Sequence, residues 1–250
     1  MTNPYDLLYE QWDWNVEPFG LPPKHKLWLS GKIKGKIASL KEPTDGYILD
    51  DGGGCGYLFN FLSEKERKNY VNLDVSIYLL KMSKGHRVRG IAENLPFKEE
   101  SFQLVVSSEV LEHVNNKVKS IKEMHRVLKN SKSLILDTPR AGCKKAWRTR
   151  KLLYYVLLLF GILTRLRYVV KTKVKCGRKI TIPKDLKDEP SDEEWLMNTM
   201  EEIGFKVVFK SREHVLWWRW TYFPIWLLEI MERRYNGSEL CHKLIFKAIK

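Results

Sequence analysis

One stretch, Ile48–Gly56 (ILDDGGGCG), constrains this chain more than any other. Apolar residues lead into two acids, and the acids run into glycines at alternating positions. Asp50, Gly52, Gly54 and Gly56 therefore form a D-x-G-x-G-x-G pattern. Such a run reads as a strand ending in a sharp turn. Glycine takes left-handed backbone angles without steric cost and lets the backbone approach a ligand closely. The carboxylate suits a ligand that carries an amino group. The spacing is not the dehydrogenase G-x-G-x-x-G, because the third residue after Gly54 is Tyr57. A turn with a purely structural role is the alternative reading of this motif alone.

Strands and helices alternate around and beyond this turn. Tyr47–Asp51 is a strand and Leu58–Leu62 a short helix. Tyr70–Asp74 is a strand ending in an acid, Ile77–Met82 a helix, and Arg87–Ile91 a weak third strand. Leu104–Ser107 is the fourth strand, Val118–Leu128 an amphipathic helix, and Ser133–Asp137 the fifth strand. Ser191–Ile203 reads as a helix with Ser191 and Glu194 as a capping box. Gly204 stops it, Phe205–Phe209 is a sixth strand, and CHKLIFKAI a last one. Short βα connections of this kind predict a parallel sheet covered on both faces. Asp74 ends the second strand about twenty residues past the glycines, where a carboxylate can accept both hydroxyls of a ribose.

The stretch Ile91–Val114 (IAENLPFKEESFQLVVSSEVLEHV), together with Ile121–Pro139 (IKEMHRVLKNSKSLILDTP), closely resembles the S-adenosylmethionine methyltransferases that include the ubiquinone and menaquinone C-methyltransferases. The resemblance runs from Ile48 to Pro139 with the motifs in order, and extends weakly to Ser191–Phe209. It implies a Rossmann-like, doubly wound α/β fold and S-adenosylmethionine as cofactor. Carried over by position, Asp50, Gly52, Gly54 and Gly56 would hold the methionine end. Asp74 would bind the ribose, Ala92, Glu93 and Asn94 would lie beside the adenine, and Ser108 and Glu109 would line the cleft. Similar proteins usually have an apolar residue where Asp51 stands, often Cys where Gly53 stands, and commonly an acid where Ile91 stands. Methyl transfer needs a base only when the acceptor is protonated, and His113 is the nearest candidate by sequence, ahead of His214. The alternative for His113 is a helix-terminus residue bonded to backbone.

Two segments interrupt the pattern. From Arg140 to Lys179 there are thirteen basic residues and no acid, which accounts for nearly all of the net charge of +14. A field this concentrated attracts a polyanion. Within it lies an apolar run, Leu152–Leu163, too short at twelve residues to span a bilayer but flanked by arginines as an interfacial segment would be. The second segment, residues 215–235, is dense in Trp and Tyr. Leaving the sheet after strands five and six, both would rise on the cofactor side as a helical cap. The expected organisation is 1–139 as flap and cofactor core, 140–190 as the basic cap insertion, and 191–250 as core completion.

Four scattered cysteines without a C-x-x-C pair argue against disulfides or a metal site. The acidic, aromatic N-terminus does not read as a signal peptide. The expectation is a cytoplasmic methyltransferase, peripheral on the inner face of an anionic membrane, acting on a lipophilic small molecule. An RNA methyltransferase is the first rival, although SSEVLEH stands where a base-binding Asn/Asp-Pro-Pro-aromatic motif would be. A non-catalytic cofactor-binding scaffold is the second.

Overall fold

The computed structural model describes residues 35–141, 188–213 and 243–250. A seven-stranded sheet runs through them in the order β3-β2-β1-β4-β5-β7-β6. The strands are β1 (Ile48–Asp51), β2 (Tyr70–Asp74), β3 (His86–Arg89), β4 (Phe102–Ser108), β5 (Leu128–Pro139), β6 (Lys206–Glu213) and β7 (Lys243–Ile249). β3, β2, β1, β4 and β5 pair in parallel, and β7 enters antiparallel between β5 and β6. Short helices α1 (Glu64–Lys68) and α2 (Ile77–Met82) lie in the connections before and after β2. This is the expected mostly parallel, doubly wound α/β sheet. The helical cap and the aromatic insertion lie outside the described residues. Among the described residues, no helix is long and apolar enough to cross a membrane.

The central strands are buried on both faces, as a parallel sheet between helices requires. Leu49, Val71, Leu73, Val105 and Leu136 line one face, where α3 (Lys117–Val127) and α4 (Glu193–Ile203) pack. Ile48, Tyr70, Leu104, Val106 and Ile135 line the other, with Ile37 and Leu58. On α3, Ile121, Met124 and Val127 recur at helical spacing and are fully buried. Asn116 caps it by accepting from the Lys119 N–H at 2.9 Å. The edge strand β3 (HRVR) is charged and mostly exposed, which discourages pairing with another chain.

Three expected boundaries shift, each for a local reason. The third strand ends at Arg89, the residue in register with Asp74, where β2 itself ends. β5 is longer than expected because it pairs with β4 from Leu128, opposite Phe102, and with β7 as far as Pro139. The capping box at Ser191 does not form. Ser191 is buried and its backbone pairs beside Arg140, so α4 starts later, with the Asp192 side chain accepting from Trp195 N–H at 3.0 Å.

One contact links the helical layer to the cleft. On α3, Glu123 holds Arg126 and accepts the Leu95 N–H, while Arg126 donates to the Phe97 carbonyl at 2.8 Å and the Leu95 carbonyl at 3.0 Å. The loop that carries Ala92–Asn94 is thereby tied to a buried helix. Met124→Ala on that helix should cost about 2–5 kcal/mol, the range for truncating a buried methionine. Urea unfolding should show a lower midpoint with an unchanged slope.

Candidate active site

The order of the sheet reverses where β1 meets β4: the chain runs outward to β2 and β3, then returns to the other side of β1. Beyond such a reversal, the loops at the carboxyl ends diverge and leave a crevice. The glycine loop leaves β1 at this point. Gly52, Gly54 and Gly56 have φ of 66°, 57° and 73°, all in the left-handed region. A side chain at Gly52 would meet Val110 Cγ2 at 2.3 Å, and one at Gly53 would meet Asn72 Oδ1 at 2.4 Å. At Gly54 the nearest atom would be Leu79 Cδ1, at 3.7 Å. The loop is thus packed tightly at its base and open at Gly54.

Asp74 holds this loop. Its carboxylate accepts the Gly54 N–H at 2.9 Å and the Ser76 N–H at 2.8 Å. Asn72 Nδ2 donates to the Gly54 carbonyl at 2.8 Å. Asp50 accepts from the Tyr70 hydroxyl at 2.6 Å, and burial beside that carboxylate pushes the Tyr70 phenol far above its ordinary range. Asp51 points to the other side of the strand and accepts from Ser107 Oγ at 3.3 Å. Ala92 is buried, Asn94 is exposed, and Glu93 accepts the Asn115 N–H at 2.7 Å. Ser108 closes β4, and Glu109 comes next with a left-handed φ of 58°, a strained conformation for a residue with a side chain.

The structure therefore brings Asp50, the three glycines, Asp74, Ala92–Asn94, Ser108 and Glu109 to the carboxyl edge of the sheet. His113 lies there too, half exposed, with Nε2 at 3.9 Å from Glu112 Oε1. His214 lies outside the described residues.

A second group at this edge was not anticipated. Lys243 opens β7 and is buried, ion-paired with Asp137 on β5 and with Glu109. Burial alone would lower the affinity of its amine for a proton; the two carboxylates outweigh that and raise it. Beside them Glu112 is buried, accepting from Thr138 Oγ1 at 3.2 Å. Burial, with Glu109 adding to it, pushes the Glu112 carboxyl up to about 8. Lys243 was hidden because its place depends on β7 running antiparallel, which carries its first residue to the carboxyl ends of the parallel strands. The EVLEH run did hold a signal, two acids beside a histidine straight after a strand.

Residues 49–136 match the family described as "Methyltransferase domain". The ubiquinone/menaquinone biosynthesis C-methyltransferase of Proteus mirabilis is 30% identical over 222 residues, covering 83% of this chain and 80% of that one. The chain belongs to the Rossmann-like S-adenosylmethionine-dependent methyltransferases. An uncharacterized protein of Methanocaldococcus jannaschii is 34% identical over 138 residues. This chain spans only 57% of that relative's length, and the match takes in 51% of this chain. An S-adenosylmethionine-dependent methyltransferase from Mesorhizobium loti shares the fold, with a TM-score of 0.57 at 16% identity, over 89% of this chain and all of that one.

The residues present in this methyltransferase fit its cofactor. S-adenosylmethionine carries a net positive charge, and the acids Asp50, Asp51, Asp74 and Glu93 lie near enough at this edge to act on one another. The open side of Gly54 leaves backbone accessible to a ligand. Each Asp74 oxygen already takes one backbone N–H, yet carboxylate oxygens have further lone pairs for hydroxyls.

The raised proton affinity of Glu112 has a consequence for stability. Between its unfolded value near 4.5 and its folded value of about 8, the folded protein holds a proton that the unfolded chain releases. That contribution is fully present below 4.5 and lost as pH rises through 8. The melting temperature of wild type should therefore fall with pH across this window relative to Glu112→Gln, which cannot ionise. Scanning calorimetry at several pH values reads the difference directly.

Proposed function

We propose that this methyltransferase acts on a lipophilic small molecule presented at an anionic membrane surface. The observation that carries the reading is the match to a C-methyltransferase of ubiquinone/menaquinone biosynthesis. It runs well past the methyltransferase domain, over four fifths of both chains. The basic segment Arg140–Lys179 with its embedded apolar run supports it, since cationic flanks around an apolar stretch suit the headgroup boundary.

In this reading Asp50, Gly52, Gly54 and Gly56 hold the methionine end of the cofactor and Asp74 the ribose. Ala92, Glu93 and Asn94 lie beside the adenine, and Ser108 and Glu109 line the cleft. The cofactor, when bound, supplies an electrophilic methyl on its sulfonium, and the protein's main task is alignment. The acceptor enters beside β4 and β5, over Glu109, Glu112, Asp137 and Lys243. His113 stands half exposed beside that group and takes a proton from the acceptor if one must leave. Residues 140–190 cover the acceptor, residues 1–139 carry flap and cofactor core, and residues 191–250 complete the core.

Asp74→Ala removes charge-assisted hydrogen bonds of about 1.5–3 kcal/mol, so calorimetry should show at least about a tenfold loss of S-adenosylmethionine affinity. Because Asp74 also holds the Gly54 and Ser76 N–H groups, some loss of thermal stability without ligand should accompany it. Unchanged affinity in the folded variant removes Asp74 from the cofactor site.

Membrane attachment is tested by sedimentation with phosphatidylserine vesicles. Binding should be strong at low salt and weaken as salt rises. Replacing Arg148, Arg150, Lys151, Arg165 and Arg167 with Gln should reduce it sharply without altering cofactor affinity. Leu157→Glu with Leu158→Glu should abolish it. Full vesicle binding by both variants contradicts the membrane reading, and tighter binding to RNA than to vesicles favours a nucleic-acid acceptor instead.

A further inference from the structure

S-adenosylmethionine and its thioether product differ by one positive charge, and Asp51 directly precedes the glycine loop assigned to that cofactor. It is the last residue of β1, fully buried, in register with Ser107 of β4 at the point where the sheet order reverses. One carboxylate oxygen accepts from Ser107 Oγ; the other, Oδ1, has no hydrogen-bond partner among the described residues. Three acids lie near enough to act on it, Asp50 within β1, Asp74 at the end of β2 and Glu93 in the loop after β3, while β4 offers Ser107. A carboxylate closed off from water among three others is costly, so the group keeps a proton until a cation arrives.

We propose that Asp51 is the charge-discriminating residue of the cofactor site: it ionises when the sulfonium compound binds and recovers a proton when only the neutral thioether remains. The proton goes to solvent on binding and returns from solvent after transfer, so cofactor is favoured over product at the same cradle. Burial, with Asp50, Asp74 and Glu93 adding to it against the Ser107 bond, pushes the Asp51 carboxyl up to about 7. The switch is therefore poised at neutral pH. This inference rests on the assignment of S-adenosylmethionine to the cradle and is independent of the acceptor.

Asp51→Asn keeps the shape and the acceptor for Ser107 but cannot ionise. Titration calorimetry in two buffers of different ionisation enthalpy counts the protons exchanged. At neutral pH, wild type should release about half a proton more than Asp51→Asn on binding S-adenosylmethionine. With S-adenosylhomocysteine the two proteins should exchange protons alike. At about pH 8, Asp51→Asn should bind S-adenosylmethionine about tenfold more weakly, and S-adenosylhomocysteine within about twofold of wild type. At about pH 5, where Asp51 is neutral in both states, the two proteins should bind S-adenosylmethionine alike. A second measurement needs no variant: the carboxyl carbon resonance of Asp51 should titrate near neutrality in the ligand-free protein and at lower pH with S-adenosylmethionine. Equal proton release by both proteins, equal loss for both ligands, or a resonance unmoved by the cofactor overturns the proposal. If neither ligand binds wild type, the cofactor assignment falls as well, which separates the two failures.

Discussion

The Asp74 carboxylate, accepting the Gly54 and Ser76 N–H groups, is the interaction on which the cleft depends. It fixes the glycine loop of β1 to the end of β2. The loop itself is possible only because Gly52, Gly54 and Gly56 take left-handed angles at alternating positions. With the base of the loop filled by Val110, Asn72 and Asp50, its one open side faces outward at Gly54. The result is a backbone cradle whose charge is negative and whose position is set by the reversal of strand order. Cofactor chemistry of a sulfonium kind suits such a place better than a phosphate would, because Asp50, Asp74 and Glu93 stand near one another there with Asp51 buried beside them.

The rest of the sheet serves that cleft by rigidity. Arg126 and Glu123 carry the stiffness of a buried helix to the loop of Ala92–Asn94. On the other side, Lys243 ties β7 to β5 and to the strained Glu109, so this part of the carboxyl edge is built from an ion cluster rather than from apolar packing. Buried pairs of this kind add little net stability over an apolar core, and they are costly to break by removing one partner. Their presence at the carboxyl edge points to a role in the cleft.

Much of this was legible in the residues. The parallel core could be read from apolar strand runs such as YILDD and SLILD, each bounded by turn residues, and the glycine turn after β1 with an acid at the end of β2 from the spacing of Asp50, the glycines and Asp74. What escaped were features decided by pairing direction and by burial. No local signal says that KLIFKAI runs antiparallel between β5 and β6, and so none says that Lys243 reaches the cleft. Likewise Asp51 stands out in the sequence as a departure from similar proteins, yet its proton affinity depends first on burial and then on Asp50, Asp74 and Glu93, and only the fold buries it and brings the last two near. The helix start at Ser191 failed because backbone pairing beside Arg140 competed with a capping pattern that was locally sound.

Amide hydrogen exchange with and without S-adenosylmethionine tests the central claim, that the cofactor lies in this cradle, most directly. Added cofactor should slow exchange at the loop Gly52–Gly56, at Asp74–Ser76, at Ala92–Asn94 and at Ser108–Glu109, while the edge strand β6 should be unaffected. Saturating cofactor with no added protection at the glycine loop, or protection confined to β6 and β7, would contradict it.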